Sequence, residues 1–247
     1  MSKSKRPNHY KRILLKLSGE SLVGNKTSGI DPQTLKTIAS DIHSTHMLGV
    51  QIAIVIGGGN IFRGIKSLEY SIDRVTSDYM GMLATMINAL ALNEALNQAG
   101  SSSTVMTALE IEKAIESFTR ERALSYLNQG RIVIFAGGTG NPYFTTDTAA
   151  TLRAMEINAQ AILKATQVDG VYSQDPLKKR NAKLFNTISY EDVLKNKLRV
   201  IDLTAISMAM EQQIPIIVFN IAEKGNIKKI VAGQKVGTLI AGESNEG

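Results

Sequence analysis

Six short apolar runs, at residues 12–17, 51–56, 103–107, 131–136, 159–165 and 214–219, alternate with stretches that carry helix signals. Strands that alternate with helices pair side by side in parallel, because each crossover helix returns the chain to the edge where the next strand starts. The expectation is an α/β fold with a largely parallel sheet covered by helices on both faces. Asp31-Pro32 reads as a helix start and Gly49 as its stop, while Ser189 with Asp192 three residues on resembles a capping box. Asp147 reads as the start of a helix over 148–155. Asp202 reads as the start of another over 203–213, after a strand-like 198–201. Residues 80–92 hold only Thr85 and Asn88 as polar side chains, so this helix has no wet face and is expected to pack against another subunit.

Composition narrows the function. With 247 residues, 43% apolar and 20% charged, the chain can bury a sizeable core. The net charge of +6 is modest, the basic residues are scattered apart from 3–12 and 178–180, and aromatic residues are sparse, which disfavours a nucleic-acid platform. The absence of cysteine removes disulfides, thiolate catalysis and Cys-based metal sites, and points to a reducing compartment. No run reaches about 18 uninterrupted apolar residues, so no membrane partner is expected and the protein reads as cytoplasmic. Residues 1–9 read as a flexible basic tail and 10–247 as a single domain.

Two glycine-rich turns carry the chemistry. Gly-Thr-Gly-Asn-Pro-Tyr-Phe-Thr-Thr-Asp at 138–147 links a strand to a helix start, and Gly57-Gly58-Gly59-Asn60 follows another strand. Backbone N–H groups in such turns converge on anions. Two of them in one domain imply two phosphorylated ligands face to face, the geometry of phosphoryl transfer. Lys16 lies at the end of the first strand among apolar residues, where burying an ammonium is costly unless an anion meets it. The usual fingerprints fail: 59–64 has P-loop spacing, but Ile65 stands where lysine is required, and Phe62 replaces the third glycine of a dinucleotide fold. Asp78, placed just before the apolar helix, could accept two ribose hydroxyls, and an exposed Tyr172 with Asp175 could hold a base. His43 and His46 share a helix face without companions for a metal site, and His9 lies in the tail. A phosphate acceptor needs no histidine base, since it is already an anionic nucleophile.

The segments 11–20, 56–64, 78–85, 138–147 and 164–172, in this order and spacing, closely resemble the bacterial uridylate kinases of the amino acid kinase family, and the match runs from about residue 10 to 243. The resemblance implies a three-layer αβα sandwich with an acceptor-binding lobe at about 10–160 and an ATP-binding lobe at about 161–247. It implies transfer of the ATP γ-phosphoryl group to UMP, with Mg²⁺, in a hexameric enzyme of pyrimidine nucleotide synthesis. Carried over by position, Lys16, Leu17, Ser18, Gly19, Gly59 and Arg63 would face the ATP phosphates, and Thr166, Tyr172 and Asp175 its nucleoside end. Gly58, Asp78, Thr139, Gly140, Asn141, Pro142, Tyr143, Phe144, Thr145 and Thr146 would hold UMP. Lys16, Asp147 and Asp202 would be the catalytic set, with no metal ligands assigned. UTP would inhibit and GTP activate, the latter through residues 24–29. Two alternatives stand beside this reading: an enzyme of the same fold with a carboxylate or carbamate acceptor, and a non-catalytic nucleotide- or oxyanion-binding protein.

Overall fold

The six apolar runs all fold as strands. The computed structural model describes residues 9–62, 71–111, 113–174, 179, 181–198 and 200–242. In chain order the elements are β1 (Arg12–Leu17), α1 (Pro32–His46), β2 (Gln51–Ile56), α2 (Arg74–Gln98), β3 (Ser103–Thr107), β4 (Glu116–Ser117), α3 (Arg120–Asn128) and β5 (Ile132–Ala136). There follow α4 (Thr146–Glu156), β6 (Ala161–Thr166), β7 (Thr187–Ser189), α5 (Tyr190–Lys195), α6 (Leu203–Glu211), β8 (Ile216–Asn220), α7 (Asn226–Val231) and β9 (Thr238–Ala241).

The strands form one sheet in the order β4-β3-β5-β2-β1-β6-β8-β9-β7, parallel except where β9 runs against β8. Side chains alternate across it with the period of two that a strand dictates. Ile13, Leu15 and Leu17, with Ile52, Ile54 and Ile56, pack under α1, α2 and α7. Leu14, Ala53 and Val55 pack under α3, α4, α5 and α6. The result is a three-layer αβα sandwich with a buried layer on either face of the sheet. Arg12 starts β1 from outside both layers, donating to Gln51, Ile157 and Asn128.

Local signals held where chemistry fixed them. Asp31 caps α1 by accepting from Thr34 N at 2.8 Å, with Pro32 at the first helical position, and Ser189 caps α5 by accepting from Asp192 N. Such a cap stabilises a helix by about 1 kcal/mol. Other boundaries moved. Of the strand-like stretch 198–201, the described residues 198, 200 and 201 form no strand; the chain then reaches Asp202, which caps α6. The apolar helix is longer than its apolar stretch, because Asp73 caps it by accepting from Val75 and Thr76. Asp78 therefore stands inside α2 and not before it. The inner face of α2 carries Met82, Met86, Ala89, Leu92 and Leu96. Its outer face presents Val75, Tyr79, Leu83, Ile87 and Leu90 as a stripe about one turn apart, with Leu83 48% and Ile87 52% exposed.

Candidate active site

Lys16 on β1 and Lys164 on β6 are register partners across the parallel pair. Both side chains project into the α4 layer, and each residue is only 8% exposed. Two like charges at opposed sheet positions destabilise each other unless an anion stands between them. Asp147, in the first turn of α4, supplies it: Oδ1 lies 2.8 Å from Lys16 Nζ and Oδ2 lies 2.5 Å from Lys164 Nζ.

The electrostatics follow. Burial by itself would raise the Asp147 carboxyl, but attraction to Lys16 and Lys164 overrides it and holds the group at about 2. Burial pushes the Lys164 ammonium down, Lys16 pushes it further, and Asp147 and Asp202 only partly oppose them, leaving it at about 8.

Asp147 is not the helix cap that its sequence position implied. The ammonium pair draws its side chain inward, and the Thr145 hydroxyl accepts from Asp147 N and Thr148 N in its place. Asp202 holds this corner from the other side. It accepts from Ala205 N at 2.8 Å, from the Thr148 hydroxyl at 3.1 Å and from the Thr145 hydroxyl, so it ties the start of α6 to the start of α4.

Two cavities meet beside this triad. One, of about 410 Å³, is lined by Lys16, Ser18, Gly19, Gly57, Gly58, Gly59, Thr146, Lys164, Thr166 and Gln167. The other, of about 140 Å³, is lined by Gly58, Gly59, Phe62, Asp78, Met82, Thr85, Gly138, Thr139, Phe144, Thr145 and Thr146. Gly58, Gly59 and Thr146 belong to both walls. Glycine is required at this junction, because a Cβ on Gly58 would meet Gly81 O at 2.7 Å and Ala84 Cβ at 2.8 Å in α2.

The remaining expected residues sort by position. The Leu17 side chain is fully buried in the opposite layer, leaving its backbone, whose carbonyl accepts from Gly57 N at 2.9 Å. Gly140, Asn141, Pro142 and Tyr143 form the rim outside the smaller cavity, and Asp78 reaches this rim by accepting from Tyr143 N at 2.7 Å and from Arg74. Tyr143 takes a positive φ of 72° and exposes two thirds of its surface beside Arg74. Tyr172 is half-buried and bridged to Leu184, and it lines neither cavity. Arg63 and Asp175 lie outside the described residues.

Lys164 is the residue that sequence reading passed over. Its local signal equals that of Lys16, an ammonium inside an apolar run, but the next glycine, Gly170, is six residues on where Gly19 is three from Lys16. His43 and His46 both turn to the Ser101 hydroxyl, at 2.8 and 3.4 Å, away from the site. A separate cavity of about 590 Å³, lined by Gly24, Asn25, Thr27, Gln33, Thr37, Asp41 and Lys224, touches the 410 Å³ cavity through Glu20 and Gln167.

The family profile for amino acid kinases matches residues 11–220. Among solved structures, the UMP kinase from Bacillus anthracis is 41% identical to this chain with a TM-score of 0.93, covering 97% of this chain and 98% of that one. The UMP kinase from Ureaplasma parvum is 35% identical, TM-score 0.88, covering 94% and 99%. The uridylate kinase from Archaeoglobus fulgidus is 29% identical, TM-score 0.73, covering 93% and 99%.

Proposed function

The chain belongs to the amino acid kinase family, and from that premise we propose that it is a UMP kinase, transferring the γ-phosphoryl group of ATP to UMP to give UDP and ADP in cytoplasmic pyrimidine nucleotide synthesis. The observation that carries this reading is the junction itself: two cavities share Gly58, Gly59 and Thr146, and two buried lysines stand at the larger one. The 410 Å³ cavity takes the ATP polyphosphate against Lys16, Lys164 and the glycine turns. At about 140 Å³ the smaller cavity takes the UMP phosphate and part of its sugar, with the rest of the nucleotide over the rim at Asp78 and Gly140 to Tyr143.

A UMP phosphate oxygen attacks the γ-phosphorus, and the β,γ-bridging oxygen leaves with ADP. The acceptor loses its second proton near pH 6, so the chain supplies no base; it supplies alignment and positive charge. Lys16 and Lys164 offset the charge that builds on the transferring group, and Asp147 keeps both ammonium groups beside the junction between turnovers. Mg²⁺ fits as the chelate that ATP brings with it. Both Asp147 oxygens already face lysines, and among the described residues no group of three His, Cys, Asp or Glu side chains gathers to hold a metal. When bound, the ion would neutralise β- and γ-phosphate oxygens.

The same reading extends to assembly and regulation. The exposed apolar stripe of α2 would be covered by a second copy within a homohexamer. Residues Gly24, Asn25 and Thr27 line the 590 Å³ cavity next to the ATP side, which supports a GTP response through 24–29, with UTP as inhibitor. Release of ADP, measured with UMP, CMP, aspartate or acetylglutamate as acceptor, tests the assignment. UMP should be preferred, and turnover of aspartate alone would reject it.

A further inference from the structure

The turn shared by the two cavities is held by side chains that line neither. Gly57, Gly58 and Gly59 have no side chains to lock them, and three consecutive glycines have more backbone freedom than any other tripeptide. Behind them, Asn88 sits on the inner face of α2, fully buried, and Asn60 is 4% exposed. Asn88 Nδ2 donates to Gly57 O at 2.7 Å and to Asn60 Oδ1 at 2.6 Å. Asn60 Nδ2 donates to Asn88 Oδ1 at 3.0 Å and to Gly29 O at 2.9 Å. Both amides spend all their N–H donors, so the pair is a closed, fully satisfied network of the kind that rigidifies what it touches.

The reach of this pair is wider than one turn. A Cβ on Gly19 would meet Asn60 Oδ1, Gly59 N at 2.8 Å and Gly57 O at 2.9 Å, so Asn60 and the glycine run form the surface on which the Lys16–Gly19 segment rests. The Asn60 backbone also accepts from Gly29 N at 2.8 Å, closing a two-bond link to the end of the 24–29 loop. One turn earlier on α2, Thr85 Oγ1 accepts from Gly137 N at 2.8 Å. The two polar residues of the otherwise apolar stretch 80–92 each hold a different glycine turn. An amide pair buried between a helix and a turn is costly unless every bond is made, and a leucine would fill the space as well.

We propose that Asn60 and Asn88 are positioning residues for phosphoryl transfer: their reciprocal amide bonds, anchored on Gly57 O and Gly29 O, fix the turn against which both nucleotides align. This rests on the kinase reading above. Loss of the pair should blur the relative placement of donor and acceptor phosphates, while the nucleoside ends, held at the rim and on the β6 side, keep their contacts. A misplacement of about 1 Å costs on the order of 10²-fold in rate.

The test compares full-length Asn88→Leu and Asn60→Ala with the parent in steady-state kinetics, and with Leu96→Ala as a control. Leu96 is fully buried on the same helix, about two turns beyond Asn88, and lines neither cavity. Both amide variants should lose at least tenfold in kcat, with KM for ATP and for UMP each within about threefold. Leu96→Ala should lower the melting temperature and leave kcat within about twofold. A kcat within twofold of the parent in either folded amide variant, or an equal loss in Leu96→Ala, would overturn the proposal. Should Asn88→Leu not fold, Asn60→Ala decides alone. Because each variant is compared with the parent on the same acceptor, a parent inactive on UMP would sink the functional reading, while the kcat ratio on whichever acceptor is used still judges the amide pair.

Discussion

Asp147→Asn keeps the shape of the side chain and deletes the carboxylate that bridges two buried ammonium groups. Depression of the carboxyl from 3.8 to about 2 corresponds to about 2 kcal/mol of stability at neutral pH, at ~1.4 kcal/mol per unit. The loss should exceed that, because Lys16 and Lys164 are left facing each other at 8% exposure, and breaking a buried pair costs about 3–5 kcal/mol. Lys164 limits the damage. Already at about 8, it falls further without its partner and sheds its proton at pH 7.5. A net loss of about 2–4 kcal/mol converts to a drop in melting temperature of roughly 5–15 °C for a chain of this size. The sign with pH is fixed: a depressed carboxyl stabilises above its unfolded value and loses that contribution as pH falls through its folded value. The gap between parent and variant should therefore close between about pH 4 and pH 2. ADP supplies replacement negative charge, so its addition should raise the melting temperature of the variant more than that of the parent, while kcat stays low. Thermal melts at pH 7.5 with and without ADP decide. A variant that melts within 1 °C of the parent, or gains less from ADP, would refute the bridging role.

Four shorter tests follow. Lys16→Ala should lower kcat by well over tenfold; retention within tenfold, ~1.4 kcal/mol, would remove its role at the transferring phosphoryl group. Lys164 is held below its unfolded 10.5, so the unfolded chain binds the extra proton between about pH 8 and 10.5 and the ion's cost is relieved across that window. Urea unfolding should show the parent gaining stability relative to Lys164→Met from pH 8 to 10, and a flat difference would contradict the assigned burial. Leu83→Glu with Ile87→Glu, on the outer stripe of α2, should lower the mass seen by light scattering if the proposed homohexamer packs through it, and an unchanged mass would contradict the proposed contact. Gly58→Ala should cripple activity, since its Cβ would displace α2 or the shared turn; near-parental turnover would mean the junction tolerates movement.

The fold was legible because its signals are local. Apolar runs of five to seven residues set the strands, Asp31-Pro32 and Ser189 with Asp192 set two helix starts, and alternation set the parallel sheet. What could not be read were the short peripheral strands, β4 and β7 at the two edges and β9 between β8 and β7, two to four residues each, which exist because longer strands already formed offer free hydrogen-bonding edges. Caps went astray where several candidates crowd together. Thr145, Thr146 and Asp147 can each begin α4, and the competition was settled by Lys16 and Lys164, distant in sequence, which claimed the carboxylate.

The same limit explains which site residues were seen. Lys16, Gly58 and Asp147 each stand in a motif whose chemistry is readable from neighbours along the chain. Lys164 and Asn88 do not; their meaning lies in register and in reach across layers. Lys164 matters because β6 pairs with β1 so that it falls beside Lys16, a fact of sheet order that no window of sequence contains. Yet the sequence held a clue of another kind. A polar side chain inside an element that is otherwise apolar must find a partner or cost the fold several kcal/mol, and residues 80–92 contain two, Thr85 and Asn88. Both partners turned out to be glycine turns, at Gly137 and Gly57. Turns rich in glycine are free to cradle phosphate only if something else holds them still, so a chain that uses two of them needs buried polar anchors in the layer behind. Searching apolar helices for such misfits is therefore a way to find the supports of a site whose working residues are mostly backbone.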